Sequence, residues 1–406
     1  MRFSRDFINI TLADFIVRSA YQMGKTPLLP IFAATLGASG VFLGFIVSVS
    51  TMTGLVLKPL IGILSDRWGR RVWLIVGTAF FVGMPFLYRF VHSPQHLMVM
   101  RVVHGFATAV YGPVTLAYIA ELTPQKIAES LGWFGLARSG GYIIGPALAG
   151  WLLLYIDPVQ VFTIIGLISC IAIVPILSLA NPPVNEPRKS DKSLPQQIIE
   201  SVHVAGKTPA IWLAGMLEAS VFIALYATKA FLPVFALSAG INVALVGLFF
   251  SVQEAVNILV KPFGGRVGDR YGHIPAIAIG MTLLGIGLGL LPTANGVWLL
   301  VPSVLTGMAQ ALIFPSTVAL ASHQVDRRNL GAGMGFIGMM DNFGKVVGPI
   351  CGGFFIERLG FEPVLYALAV MLILGGLLLQ TISRKPKDRD PHSIGDYERG
   401  AAYDNA

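Results

Sequence analysis

Apolar residues run almost unbroken over residues 8–36, 41–64, 72–91, 96–120, 129–156 and 159–180. A second set covers 210–238, 242–264, 274–292, 296–321, 330–356 and 362–382. A helix of about 20 apolar residues crosses a hydrocarbon core about 30 Å thick, and the runs are of that length. Backbone in lipid must satisfy its own hydrogen bonds, so the runs predict helices. The short apolar–polar alternation of a transmembrane barrel strand is absent. No small-residue cleavage site follows a short apolar core near the start, so the first run is expected to remain as a span. The pattern predicts an all-α membrane protein with twelve transmembrane helices.

Composition agrees with that picture. Of 406 residues, 54% are hydrophobic and 12% charged, about half the charged share of a soluble chain. The net charge of +8 acquires its meaning from its distribution. Alternate polar intervals, taken with both ends of the chain, collect nineteen Lys and Arg, whereas the opposite set holds only Arg89 and Arg358. This positive-inside bias predicts a multi-pass protein of the cell (inner) membrane with both termini cytoplasmic. It also removes nucleic acid as a partner. Cys170 and Cys351 both fall inside apolar runs, which makes them packing residues rather than a disulfide or thiol site.

The polar interval 181–209 divides the chain into an N-terminal six-helix half, 1–180, and a C-terminal six-helix half, 210–382. A polar cytoplasmic tail follows at 383–406. Residues near 194–206 of the linker are a candidate surface helix. The halves are copies. At a constant offset of 203 residues, Pro30 matches Pro233, Gly44 matches Gly247, and Lys58-Pro59 matches Lys261-Pro262. Asp66-Arg67 likewise matches Asp269-Arg270, and Gly145-Pro146 matches Gly348-Pro349. The register implies two parallel, pseudo-symmetric halves with a substrate path between them.

Within that repeat, "GILSDRWGRR" at 62–71 and "GRVGDRYGHI" at 265–274 are two versions of one charged hinge. Gly62 and Gly69 permit close helix approach and a tight turn. Asp66 is expected to face the positive end of a neighbouring helix, with Arg67 and Arg70 at headgroup level. Asp269 and Arg270 repeat the arrangement, and together these residues form a candidate conformational latch. In the fifth run, Gly141, Gly145 and Gly150 remove side chains from one helix and Pro146 bends it. This predicts a hinge in sliding contact with the other half, repeated at Gly348 and Pro349.

These motifs resemble those of the major facilitator superfamily, and within it the twelve-span drug or metabolite:proton antiporters. The resemblance covers about residues 8–382. It rests on the 62–71 hinge, on "RVVHGFATAVYGP" at 101–113 and on "GGYIIGPALAGW" at 140–151. It implies a part in proton coupling for Arg101 and an antiporter character for the fifth span. His104 departs from the fourth-span pattern, where Gln is common.

Charges inside the spans supply the candidate chemistry, because each costs about 2.5–3.5 kcal/mol at a helix centre unless it faces a wet cavity or a partner. Asp341, Glu254, Asp14 and Glu218 are the proton-coupling candidates, with Asp341 preferred. Burial favours the neutral form of a carboxyl group and so equips it for proton exchange. Asp14 and Arg18 share one helix face, as do Asp341 and Lys345, and each pair can neutralise itself. Arg138 matches Asp341 in the repeat, which makes it a partner for a carboxylate or substrate; the family architecture also offers it Glu254. Candidate cavity residues are Arg18, Tyr21, Lys25, His104, Arg138, Lys229, Gln253, Asn257, Gln310 and Asn342. The cationic members tilt the cavity toward anionic or zwitterionic substrates.

The resulting expectation is a secondary transporter that exports a small organic solute by rocker-switch alternating access in exchange for protons. Proton-linked or facilitative uptake is the alternative within the fold. A non-transporting membrane sensor or scaffold is the alternative from another class. The chain carries no Walker-type phosphate loop and no clustered metal-ligating set, so an enzyme, a cofactor and a metal are not expected. The expected partners are the small-molecule substrate, protons and the bilayer, with the protein as a monomer.

Overall fold

A computed structural model describes residues 3–180, 208–323 and 330–384, with isolated positions at 196, 199, 202, 203 and 206. The linker, its candidate surface helix and the tail lie almost wholly outside the described residues. The described residues form twelve helical rods. In the N-terminal half these are α1 (Arg5–Met23, continuing as Leu29–Thr35), α2 (Gly40–Trp68), α3 (Arg70–Leu87), α4 (Pro94–Leu122), α5 (Ile127–Leu152) and α6 (Pro158–Cys170, continuing as Ile173–Leu177). The C-terminal half has α7 (Pro209–Ser238), α8 (Val243–Tyr271), α9 (His273–Leu290), α10 (Leu300–His323), α11 (Leu330–Leu359) and α12 (Phe361–Arg384). Nine of the rods are long and apolar enough to cross a membrane. The other three are α1, α5 and α11: α1 is broken at Gly24–Leu28, and α5 and α11 are glycine-rich and carry Arg138 and the Asp341–Lys345 pair. All three contribute residues to the space between the halves.

Local chemistry sets where the rods begin and end. Ser39, Ser93, Asp157 and Asn242 each accept a hydrogen bond from a first-turn N–H of the helix that follows, satisfying donors that have no intrahelical partner. A single residue joins α2 to α3 and another joins α8 to α9. Gly69 and Gly272 hold φ of 89° and 97°, a conformation that side-chain-bearing residues rarely adopt. The repeated hinge motif is thus first a one-residue reversal. Its sequence-predicted helix ends fall short: α2 and α8 run on through the Asp-Arg pairs to Trp68 and Tyr271. Large apolar side chains such as Val56, Leu259 and Val174 point outward, where lipid covers them.

The halves meet unevenly. Away from the termini one apolar core is continuous across both, joining Met23, Phe32 and Leu43 to Phe231, Phe249 and Leu232. Toward the termini the core divides into a cluster of N-half residues around Phe7, Trp73 and Phe134 and a separate C-half cluster around Ile211 and Phe336. The molecule is therefore closed at the face remote from its termini and parted at the face that carries them.

Closure is made by two pseudo-symmetric helix crossings, α2 on α11 and α5 on α8. Gly44 lies so close to α11 that an added methyl would overlap the Pro349 carbonyl and lie 2.7 Å from its carbon. At Gly247, its repeat partner, an added methyl would likewise overlap the Pro146 carbonyl and lie 3.0 Å from the Gly150 Cα. The Ser48 hydroxyl donates to the Val346 carbonyl at 2.9 Å, and the Val41 N–H donates to Glu357 Oε2 at 3.1 Å. Gly141 and Gly145 correct the expected hinge geometry. They pack on Ser19, Gln22 and Met23 of α1 in their own half, and Gly348 packs on Ile223 of α7. With a period of 3.6 residues per turn, of the expected hinge residues Pro146, Gly150 and Pro349 are the ones that face the opposite half.

Candidate functional site

Between the halves is a cavity of about 190 Å³. The break in α1 places Lys25 in its wall beside Arg18, Tyr21 and Gln22, and α7 contributes Tyr226 and Lys229. Asn342 and Lys345 line it from α11, and Lys58 from the middle of α2. The Lys25 and Lys229 ammoniums each stand 5.2 Å from the centre of the Tyr226 ring, and Lys25 also lies 5.8 Å from that of Tyr21. Such positions are favourable because a ring face carries partial negative charge. Lys25, Lys58 and Lys229 have no carboxylate within ion-pairing distance among the described residues. Lys58, Ser50, Thr108, Tyr142 and Tyr226 were not singled out from the sequence. Lys58 carried a usable signal, a charge in mid-run, but it read as part of the repeat.

Behind the cavity in the N-half, Asp14 is wholly buried and held in a fork by Arg138, Nε to Oδ2 at 2.9 Å and Nη2 to Oδ1 at 2.8 Å. Arg138 Nη2 also donates to Thr115 Oγ1 at 2.9 Å. The expected Asp14–Arg18 pair is looser, at 3.7 Å. Arg138 thus belongs to Asp14, not to Glu254 or Asp341, and it does not line the cavity. A planar guanidinium matches both carboxylate oxygens at once, and here Arg138 makes that fork while Arg18 stays at 3.7 Å.

The C-half places different chemistry at the equivalent spot. Where the repeat exchanges Arg138 for Asp341, the Asp341 carboxyl lies near Glu218 across the α7–α11 packing. Thr317 donates to Glu218 Oε1, as Thr115 serves the N-half. Asp341 Oδ2 faces Lys345 Nζ at 3.5 Å, and its Oδ1 is buried with no donor. Asp341 and Glu218, two separate candidates in the sequence, form one site. Glu254 lies near Lys229 electrostatically but beyond ion-pairing range.

The remaining candidates sit elsewhere. Arg101 is 2% exposed and donates to Ser50 Oγ at 2.6 Å, joining α4 to α2. His104 is packed among Tyr21, Phe81 and Tyr88, in the N-half interior rather than the cavity wall. Gln253 and Asn257 are buried within the C-half, and Gln310 donates to the Thr306 carbonyl of its own helix at 3.2 Å; none of the three lines the cavity. At the hinge, Asp66 pairs with Arg70 of its own half, and Arg70 Nε reaches Glu121 at 2.9 Å. Arg67, Asp269 and Arg270 are exposed, and Gly62 has no neighbour close enough to meet an added methyl. The charged hinge therefore braces its own half, with Asp66 paired to Arg70, the first residue of α3.

The family model described as Major Facilitator Superfamily matches residues 12–257 and 217–399. The chain belongs to the Major Facilitator Superfamily. An uncharacterized MFS-type transporter of Methanocaldococcus jannaschii is 24% identical, over 87% of this chain and 92% of its own. Multidrug resistance protein 1 of Bacillus subtilis is 25% identical, over 86% of this chain and 89% of its own. The solved structure of the nucleoside transporter NupG superposes with a TM-score of 0.81 at 15% identity, covering 94% of this chain and all of that one. This member of the superfamily is thus a multi-pass membrane protein of a transporter family, not an enzyme. Its predicted fold class stands.

Proposed function

We propose that the protein is a proton-coupled secondary transporter of a small organic solute that works by alternating access. The observation that carries the reading is the pair of neighbouring carboxyl groups in the C-half, Glu218 held by Thr317 and Asp341 facing Lys345, where the other half keeps a fixed Asp14–Arg138 ion pair. An ion pair holds one protonation state, whereas a carboxyl pair beside a cavity can gain and lose a proton. Lys345 belongs to both places, lining the cavity and facing Asp341. Positive-inside charge assigns the parted face to the cytoplasm, so the cavity is read as open inward. The two glycine-lined crossings at the other face are the contacts that must separate for it to open outward.

Export in exchange for protons is supported by the likeness to Multidrug resistance protein 1 and by the fifth-span glycine-proline motif. Proton-linked uptake is favoured by a different observation, the sharing of Lys345. When the carboxyl pair is protonated, the Lys345 charge is released toward the cavity, so a proton and an anionic solute would bind together. Linkage is reciprocal, so the sign of the coupling is one measurable quantity. Purified protein in liposomes with an internal pH-sensitive dye measures it directly. Solute-driven proton movement opposite to the solute indicates exchange; movement with the solute indicates uptake. Either is expected to vanish in Asp341→Asn and Glu218→Gln. Solute transport that moves no protons, or that keeps its proton movement in both variants, would overturn the proposal.

A further inference from the structure

Five cations line the cavity, and its wall contains no carboxylate. Arg18 and Lys345 each have an acidic neighbour, Asp14 and Asp341. Lys25, Lys58 and Lys229 have none within ion-pairing distance among the described residues, Glu254 lying beyond that range from Lys229. They form two groups. Lys25 and Lys229 both lie 5.2 Å from the centre of the Tyr226 ring, whereas Lys58 enters the wall from α2, in the other half from Lys229. Like charges gathered in a low dielectric repel, and each is expensive to keep in a membrane span. A wall of this kind is relieved by an anion that reaches both groups. The cavity volume of about 190 Å³ is below the roughly 300–1,000 Å³ of drug-sized sites.

We infer that the substrate is a small organic dianion, with one anionic group held by the Lys25 and Lys229 ammoniums and the second on Lys58. The inference rests on the transport reading but not on proton coupling. A dianion would also select the uptake arrangement, because it draws Lys345 from Asp341 and leaves the carboxyl pair to take a proton.

Equilibrium binding to the full-length protein in detergent, without any gradient, tests this independently of coupling. The probes are phthalate, succinate, benzoate and tetraphenylphosphonium, read by thermal stabilisation and calorimetry. Phthalate or succinate is expected to bind more tightly than benzoate, and tetraphenylphosphonium is expected not to bind. The double variant Lys25→Met/Lys229→Met should weaken dianion binding about thirtyfold or more, while Lys25→Arg/Lys229→Arg retains it. Binding of tetraphenylphosphonium with none of either dianion would overturn the inference, as would benzoate binding equal to that of both dianions. Undiminished dianion binding in the Met variant would do the same. If the Met variant does not fold, the ranking of probes on the unaltered protein decides. A failed proton-flux assay with intact dianion binding would count against the coupling proposal alone.

Discussion

Replacing Gly44 by Ala puts one methyl group into the tightest crossing between the halves. That methyl would overlap the Pro349 carbonyl oxygen, with the carbonyl carbon at 2.7 Å and the Ile350 Cα at 3.0 Å. Carbon atoms pack at about 3.5–4.0 Å, so α2 and α11 must separate by about 1 Å or distort. Overpacking of this kind costs about 1–3 kcal/mol. The cost falls only on the conformation in which these helices touch, so the closed form of this face loses about five- to 150-fold in population relative to the open form. Gly247→Ala should act alike through Pro146, since its methyl would lie 3.0 Å from the Gly150 Cα. Spin labels at Tyr155→Cys and Val297→Cys, in a background with Cys170 and Cys351 replaced by Ser, report the separation of the halves by pulsed electron resonance. Each Ala variant should shift the distribution toward longer distances, and the double variant further. An unchanged distribution in both single variants, with folded protein, would refute the claim that these glycines hold the face shut.

Three further outcomes follow from the same geometry. Arg138→Met should lower thermal stability by the equivalent of about 3–5 kcal/mol, because it strands the buried Asp14 carboxylate; adding Asp14→Asn should restore part of the loss, and no restoration would show that the fork is not the source. Gly69→Ala forces a side-chain-bearing residue to φ 89° and should cost about 1–3 kcal/mol in unfolding measurements; since an added methyl there touches nothing, a neutral result would rule out backbone strain. Glu357→Gln weakens the charged cap on the α2 N-terminus, worth about 0.3–1 kcal/mol, and should raise the open fraction in the spin-label assay, more so in combination with Gly44→Ala.

The linear pattern of apolar runs was enough to place the twelve rods, because a membrane span must be apolar and helical along its whole length, while the 203-residue repeat divided them into halves and three short motifs pointed to the family. The one-residue reversals at Gly69 and Gly272 were legible for a related reason: a turn between adjacent helices is local. Partnership across the fold was not legible. Asp14 and Arg18 stand one helical turn apart, yet Asp14 is held by Arg138 from 124 residues away, a partnership made by helix packing and not by sequence spacing. The repeat correctly linked Arg138 to Asp341 but concealed that Asp341 would lie near Glu218, with Glu218 held by Thr317, each one place out of strict register. Lys58 entered the cavity and His104 left it through the rotation of α2 and α4 about their axes, which no run of hydropathy records. Which glycines face the other half, and which face of the molecule is shut, were settled only when the helices packed, since close contact depends on azimuth and crossing and not on composition.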